Sequence, residues 1–275
     1  MRAHLGGSSR HSIMAARTAL DAAVKGVDAQ SASTLSSELF FIADVLGSNI
    51  SVRRALTDPS RDSNSKSVFA ADLLAAKVGP VALGLLTEIA ALRWSSAKDL
   101  VQAVEQLAIE AEASAANIAG ELDQVEDEIF ITLNAIKTSS ELRTAIKSDA
   151  TEAKSQLIAQ ILKNASSSTA KLILQMVNSW RGRSIEAAFA DYQWALAARR
   201  NRVIALVRVA EPISQAQQDR LITALTEKIG QPIRINIEID PKVIGGISVR
   251  FADEIVDGSI SNRLAGAARA LVGSK

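Results

Sequence analysis

Cysteine is absent from the 275 residues, and histidine occurs only twice, at His4 and His11. Without thiols there are no disulfides, thiolate nucleophiles, thiolate zinc sites or iron–sulfur clusters. Both imidazoles lie in a Gly/Ser-rich N-terminal stretch, read as a flexible segment over 1–11. The commonest general base and metal ligand is therefore missing from the folded body. No catalytic, cofactor-binding or metal-ligating set is expected. Net charge is nearly missing too, since 31 Lys and Arg against 30 Asp and Glu leave +1. No long-range field draws the chain to nucleic acid or anionic lipid. The longest uncharged apolar stretch, Val78 to Thr87, contains Pro80 and stops at Glu88, far short of the ~20 residues of a membrane span. The start, MRAHLGGSSRHS, lacks the apolar core of a secretion signal. Neither nucleic-acid binding nor direct membrane insertion is expected.

What is present is apolar material for packed cores: hydrophobic residues make up 48% and charged residues 22%. At roughly 150 residues per domain the length predicts two domains or three. Proline is scarce, and none lies between Pro80 and Pro212, whereas Pro212, Pro232 and Pro241 crowd the last quarter. Upstream of residue 200 alanine is abundant and apolar residues recur three and four apart. Leu100, Val104, Leu107, Ala111 and Ile118 form one stripe down a helix. Breaks such as Gly47 to Asn49, Asp58 to Asn64 and Thr138 to Ser140 divide that half into about ten or eleven short helices.

Downstream the period changes to two, in Ile233 to Ile239 and again in Ile247 to Phe251, which are half-buried strands. A strand at Arg202 to Val209 and a helix from Ser214 to Gly230, with the stripe Leu221, Ile222, Leu225 and Ile229, precede them. A last helix is expected from Ser261 to Val272. The fold predicted is mostly α with a small C-terminal α/β domain, a four-stranded sheet with two helices, at 201–275.

The helical half carries an internal repeat. Glu38 to Ala55 sits over Glu128 to Ala145, so that Val52, Arg53, Ala55 and Leu56 face Leu142, Arg143, Ala145 and Ile146. With small deletions Lys66 meets Lys154 and Trp94 meets Trp180, the spacing shortening from 90 to 86. A duplicated N-terminal helical bundle follows, with copy 1 at 12–96 and copy 2 at 97–200. The helix Ala97 to Ala119 is expected to close the first and open the second.

The most informative run is Val243-Ile244-Gly245-Gly246-Ile247-Ser248-Val249-Arg250-Phe251-Ala252-Asp253-Glu254-Ile255-Val256-Asp257-Gly258-Ser259, followed by Arg263 and Leu264. Read from residue types alone it gives strand, hairpin, strand, turn and helix, with Asp257-Gly258 as a tight-turn pair. No helix follows Gly245-Gly246 and no Lys-Ser/Thr follows, so a phosphate loop is disfavoured. The run resembles the C-terminal signature of the delta subunit of F-type ATP synthases, the bacterial counterpart of the oligomycin-sensitivity-conferring protein. Gly245, Gly246, Val249, Asp253, Ile255, Asp257, Gly258 and Ser259 carry the likeness. Ala252 departs from it, since the family usually has glycine there. The family's bundle has six helices and its usual chain is shorter than this one by about one bundle, which the repeat supplies.

The resemblance implies a non-catalytic stator subunit without cofactors, one copy per complex, at the cytoplasmic face of the bacterial cell membrane. It implies two partners: the N-terminal helices of the alpha subunits and the peripheral-stalk b subunit. In the family the alpha-subunit helix lies in a groove between the first and fifth bundle helices, which map here to Ser12–Lys25 and Val81–Leu92. Ile13, Ala16, Leu20, Leu85 and Ile89 are the candidate groove positions, with bundle core as the alternative. In the second copy Ile173 and Val177 are the fifth-helix equivalents. The b subunit is expected on the C-terminal domain, at the sheet edge or at Leu264, Ala268 and Leu271 of the last helix.

Other clusters fit quieter roles. Asp123, Glu126, Asp127 and Glu128 stand at a helix start, where carboxylates favour the macrodipole. Arg181, Arg183, Arg199, Arg200 and Arg202 form a basic knot read as salt-bridged surface or as contact with acidic neighbours in the complex. Trp94, Trp180, Trp194 and Tyr192 are read as core fillers at helix ends. Two alternatives stand beside the stator reading: a helical adaptor serving another complex, and an enzyme using Glu126 and Asp127.

Overall fold

The computed structural model describes residues 6–147, 151–199, 203–229, 233–240, 247–251 and 254–257. Their contacts divide the chain into two compact units, Met1–Leu196 and Ala197–Lys275.

The first unit is helical: α1 (Gly7–Ala23), α2 (Ala29–Ser48), α3 (Ile50–Thr57), α4 (Ser63–Leu74), α5 (Pro80–Ala91), α6 (Ala97–Ala119), α7 (Leu122–Thr138), α8 (Ser140–Lys147), α9 (Thr151–Ile161), α10 (Ser167–Asn178) and α11 (Ile185–Arg199). Local chemistry sets the starts. Asp28, Asp62, Ser96 and Ser166 each accept the backbone N–H three residues on, the ordinary N-cap. Pro80 opens α5 at a position whose N–H would be unsatisfied anyway. Gly120 closes α6 in the left-handed conformation, φ 77°.

Two expectations need correcting. The N-terminal stretch is helical from Gly7, because Ser9 is fully buried and its hydroxyl donates to Asp99 at 2.6 Å while accepting the Ser95 N–H at 2.8 Å. Tertiary hydrogen bonds fix a segment whose Gly/Ser composition argued for disorder. α6, read as a one-faced helix, is buried on nearly every face from Asp99 to Ala116, whereas Ile118 of its predicted stripe is exposed. α6 is the axis of one continuous hydrophobic core reaching from Ile13 to Leu196, and α2 packs along it. Alanines at positions 103, 108, 111 and 115 permit that close approach.

In the second unit β1 (Val203–Val209) runs parallel to β2 (Ile233–Ile239), joined by α12 (Gln215–Ile229). β3 (Ile247–Phe251) lies antiparallel on the other side of β1, and β4 (Glu254–Asp257) antiparallel to β3, giving the order β2-β1-β3-β4. Ala205, Val207 and Val209 are buried at the period of two, against Leu225 of α12. Ser214 caps α12 reciprocally: its N–H donates to the Gln217 side-chain oxygen at 2.7 Å and its hydroxyl accepts the Gln217 N–H.

Candidate partner-binding surfaces

Four buried carboxylates on α6 hold the helical unit together. Asp99 accepts from Ser9, and Glu110, fully buried, takes Arg17 Nε at 2.9 Å and Gln106 at 2.7 Å. Glu112 takes Lys171 Nζ at 2.9 Å, the Ser168 hydroxyl at 2.7 Å and the Ser33 hydroxyl. Glu105 takes Arg183 Nη2 at 2.6 Å and faces Arg181 Nε at 3.5 Å. Their partners come from α1 and α2 on one side and from α10 and the turn after it on the other, so α6 is fastened from both directions. Burial raises the Tyr192 phenol well above its ordinary pKa, and the charge of Glu105 adds to the effect.

Two members of the basic knot are internal ion-pair partners: Arg181 pairs with Asp44 at 2.6 Å and Arg183 with Asp191 at 2.9 Å, whereas Arg200 and Arg202 lie outside the described residues. Sequence reasoning missed these four acids. The available signal was their spread around the helix at 99, 105, 110 and 112, which leaves it no polar face to turn to solvent. The acidic group at the start of α7 also has a structural use. Glu128 accepts the Ser166 N–H at 3.0 Å and the Ser166 hydroxyl at 2.8 Å, securing the start of α10. Burial pushes its carboxyl up, but hydrogen bonds from Thr169, Gln124 and Ser166 outweigh this and hold it below the ordinary value. Among the described residues no group of three or more His, Cys, Asp or Glu is placed to hold a metal ion.

Ile13, Ala16 and Leu20 on α1 and Leu85 and Ile89 on α5 all point into the core and are at most 5% exposed. The accessible surface of this helix pair lies elsewhere. At the end where α1 finishes and α5 begins is a recess of about 280 Å³, lined by Ala23, Val27, Leu35, Gly79, Pro80 and Val81. Along α5 beyond it, Val81, Gly84 and Glu88 form an outward face at helical spacing. Nothing lies within 4 Å of where a Cβ on Gly84 would stand.

α10 has the same twelve-residue length as α5. Matched end to end, the buried positions coincide: Ala82, Leu85, Leu86, Ile89 and Ala90 against Thr169, Leu172, Ile173, Met176 and Val177. Leu85 and Ile89 therefore correspond to Leu172 and Met176, one residue before the Ile173 and Val177 predicted.

Of the C-terminal signature, Val249 is buried in β3, and Ile255 and Asp257 lie in β4 opposite Arg250 and Ser248. Gly245, Gly246, Asp253, Gly258, Ser259, Leu264, Ala268 and Leu271 lie outside the described residues. β2 is one edge of the sheet and ends in the exposed Ile239.

A family model described as ATP synthase delta (OSCP) subunit matches residues 109–271, more than half of the chain. The chain belongs to the ATP synthase delta (OSCP) subunit family. It is 40% identical over 268 residues to ATP synthase subunit delta of Streptomyces coelicolor, a match covering 96% of this chain and 97% of that protein. The corresponding subunit of Thermobifida fusca is 38% identical, covering 94% and 98%, and that of Kineococcus radiotolerans 35%, covering 97% and 98%. The family model begins inside α6, so it lies on the second half of the helical unit and the C-terminal unit, whereas these relatives match nearly end to end. The family is a structural, non-catalytic one. No single described helix is long and apolar enough to cross a membrane.

Proposed function

We propose that this delta-family chain is the non-catalytic stator subunit of a proton-transporting F-type ATP synthase. It joins the alpha subunits of the catalytic head to the peripheral-stalk b subunit at the cytoplasmic face of the cell membrane. When the rotor turns, the head feels an equal reaction torque, and this link keeps it stationary. The observation that carries the reading is the near end-to-end match with delta subunits. A helical unit organised around one continuous core and cross-tied by buried ion pairs suits a mechanical part.

The helical unit is read as two copies of one bundle, 12–96 and 97–200, followed by the C-terminal domain at 201–275. α6 serves as the last helix of the first copy and the first of the second. Three equivalences support this. α2, a break at Asn49 and α3 recur as α7, a break at Ser139 and α8. Glu38 accepts the Gly79 N–H before α5 at 2.7 Å, as Glu128 accepts the Ser166 N–H before α10. Arg53 donates to the Gly47 carbonyl at the α2–α3 break, as Arg143 donates to the Lys137 carbonyl at the α7–α8 break. The alpha-subunit helix is assigned to the α1–α5 side, whose core is Ile13, Ala16, Leu20, Leu85 and Ile89. The b subunit is assigned to the C-terminal domain, at the sheet edge or at Leu264, Ala268 and Leu271.

The test is co-purification. The tagged chain expressed in its own cells recovers alpha, beta and b subunits; recovery of the chain without them refutes the stator role.

A further inference from the structure

We propose that the recess between the start of α1, the α3–α4 turn and the end of α5 binds a small phosphate-bearing anion through Arg61, Lys66 and Arg93. The inference is independent of the stator reading and adds a ligand site to the helical unit.

The recess has a volume of about 600 Å³, within the range of small-molecule sites. Its charged lining is Arg61, Lys66 and Arg93 against a single carboxylate, Asp62. That carboxylate is already committed to capping α4, accepting the Ser65 N–H at 2.8 Å and the Ser65 hydroxyl at 2.6 Å. Asp58, just outside the recess, likewise accepts the N–H and the hydroxyl of Ser60. Among the described residues none of the three cations forms an ion pair. The Arg61 guanidinium lies 6.0 Å from the centre of the Phe69 ring, and Lys66 Nζ donates to the Leu92 carbonyl at 3.0 Å.

Lys66 is the unusual member. It is only 4% exposed, and its one carbonyl bond leaves two N–H groups of the ammonium to be satisfied. Burial lowers its pKa and the charge of Arg93 lowers it further, while Asp58 and Asp62 offset only part of this. Like charges gathered in a concave site without a counter-ion are unfavourable, and a bound anion relieves them.

The chemistry of the lining selects the ligand. Three cations against one committed carboxylate match an anion with two negative charges. The hydroxyls of Thr57, Ser60 and Ser63 already donate to Arg53, Asp58 and Ala91. The free donors are therefore cationic N–H groups, which phosphate oxygens accept well. A docked protein segment is disfavoured, because the only apolar residues of the lining are Pro59 and the buried Trp94, too little to seat an apolar anchor. The lining comes from three separate parts of the chain, so the bound anion would tie them together.

The test is isothermal titration calorimetry of the full-length chain with pyrophosphate and with ADP, against sodium chloride at equal ionic strength. Pyrophosphate is expected to saturate one site per chain and to raise the melting temperature with the logarithm of its concentration. Arg61→Gln and Arg93→Gln, both at exposed positions, are each expected to weaken binding about tenfold without changing the melting temperature of the unliganded chain. Lys77→Gln, an exposed cation beyond the far end of α4, leaves binding unchanged. Equal affinity for ADP and pyrophosphate assigns the site to the phosphates alone, and tighter binding of ADP assigns it to a nucleotide; either upholds the proposal. Absence of saturation above the chloride control, wild-type affinity in both arginine variants, or equally tight binding of a hexa-aspartate peptide each overturns it.

Discussion

Arg183→Ala tests whether the buried ion pairs on α6 hold the helical unit together. The side chain of Glu105 is 1% exposed and that of Arg183 11%, and the 2.6 Å contact between them is barely screened by solvent. Burial alone would lower the Arg183 pKa, but the charges of Glu105 and Asp191 more than offset this and raise it above its ordinary value. Removing one member of such a pair leaves the other charge buried, at about 3–5 kcal/mol. Arg181 Nε remains 3.5 Å from Glu105 and offsets part of the loss, so the lower end, about 3 kcal/mol, is expected. For a unit of this size that is a fall of about 6–12 °C in Tm. All three tryptophans, Trp94, Trp180 and Trp194, lie in the helical unit, so fluorescence follows its unfolding apart from the C-terminal unit. Arg183→Met combined with Glu105→Gln, which removes both charges, is expected to recover most of the loss. A single variant within about 1 kcal/mol of wild type would show that the pair contributes no more than a surface salt bridge.

Four further outcomes are expected. Leu20→Ala, at a fully buried position, costs about 2–5 kcal/mol in urea unfolding; a negligible loss combined with weakened head binding would place Leu20 in a groove instead. Gly84→Ala raises the stability of the isolated chain by about 1 kcal/mol, since nothing lies within 4 Å of the added methyl; an unchanged melting temperature refutes this. Glu128→Gln lowers stability at neutral pH. Because the folded-state pKa of Glu128 is depressed, its contribution is present above the ordinary carboxyl value of 4.5 and lost as pH falls through the folded value. The gap between wild type and variant in thermal melts therefore closes in acid, and a gap constant with pH refutes the assignment. Ser214→Ala removes a cap of α12 and costs about 1 kcal/mol, read by hydrogen exchange at the first turn of that helix.

Much of this architecture is legible in the residues themselves. Alternation in Ile233 to Ile239 marks a strand because side chains on a pleated strand change face at every step. Ser214 with Gln217, and Pro80 after Gly79, mark helix starts because they answer unsatisfied backbone N–H groups. What was hidden depends on contacts distant in sequence. Gly7 to His11 carries weak helix propensity, and only Ser95 and Asp99, some ninety residues on, make it a helix. The partners of the α6 carboxylates, Arg17, Lys171 and Arg183, are distant from them in sequence. The groove positions rest on the family resemblance, and apolar spacing along α1 and α5 names the side of a helix that is buried, not what buries it.

Under the proposed duplication and stator role, the fastening of α6 gives a doubled helical unit a mechanical use. Two bundles joined by a flexible linker would transmit reaction torque only after the linker had been drawn taut, and the elastic slack would appear as lost coupling. Here the shared element is α6, a 23-residue helix buried along most of its length. Its carboxylates are held by α1 and α2 from one copy and by α10 and the turn after it from the other. Rotating one copy against the other would require separating ion pairs whose carboxylates are buried, along with the packing of α2 against α6. On this argument a chain softened at Glu105 and Arg183 retains its binding to the head and still transmits torque less efficiently.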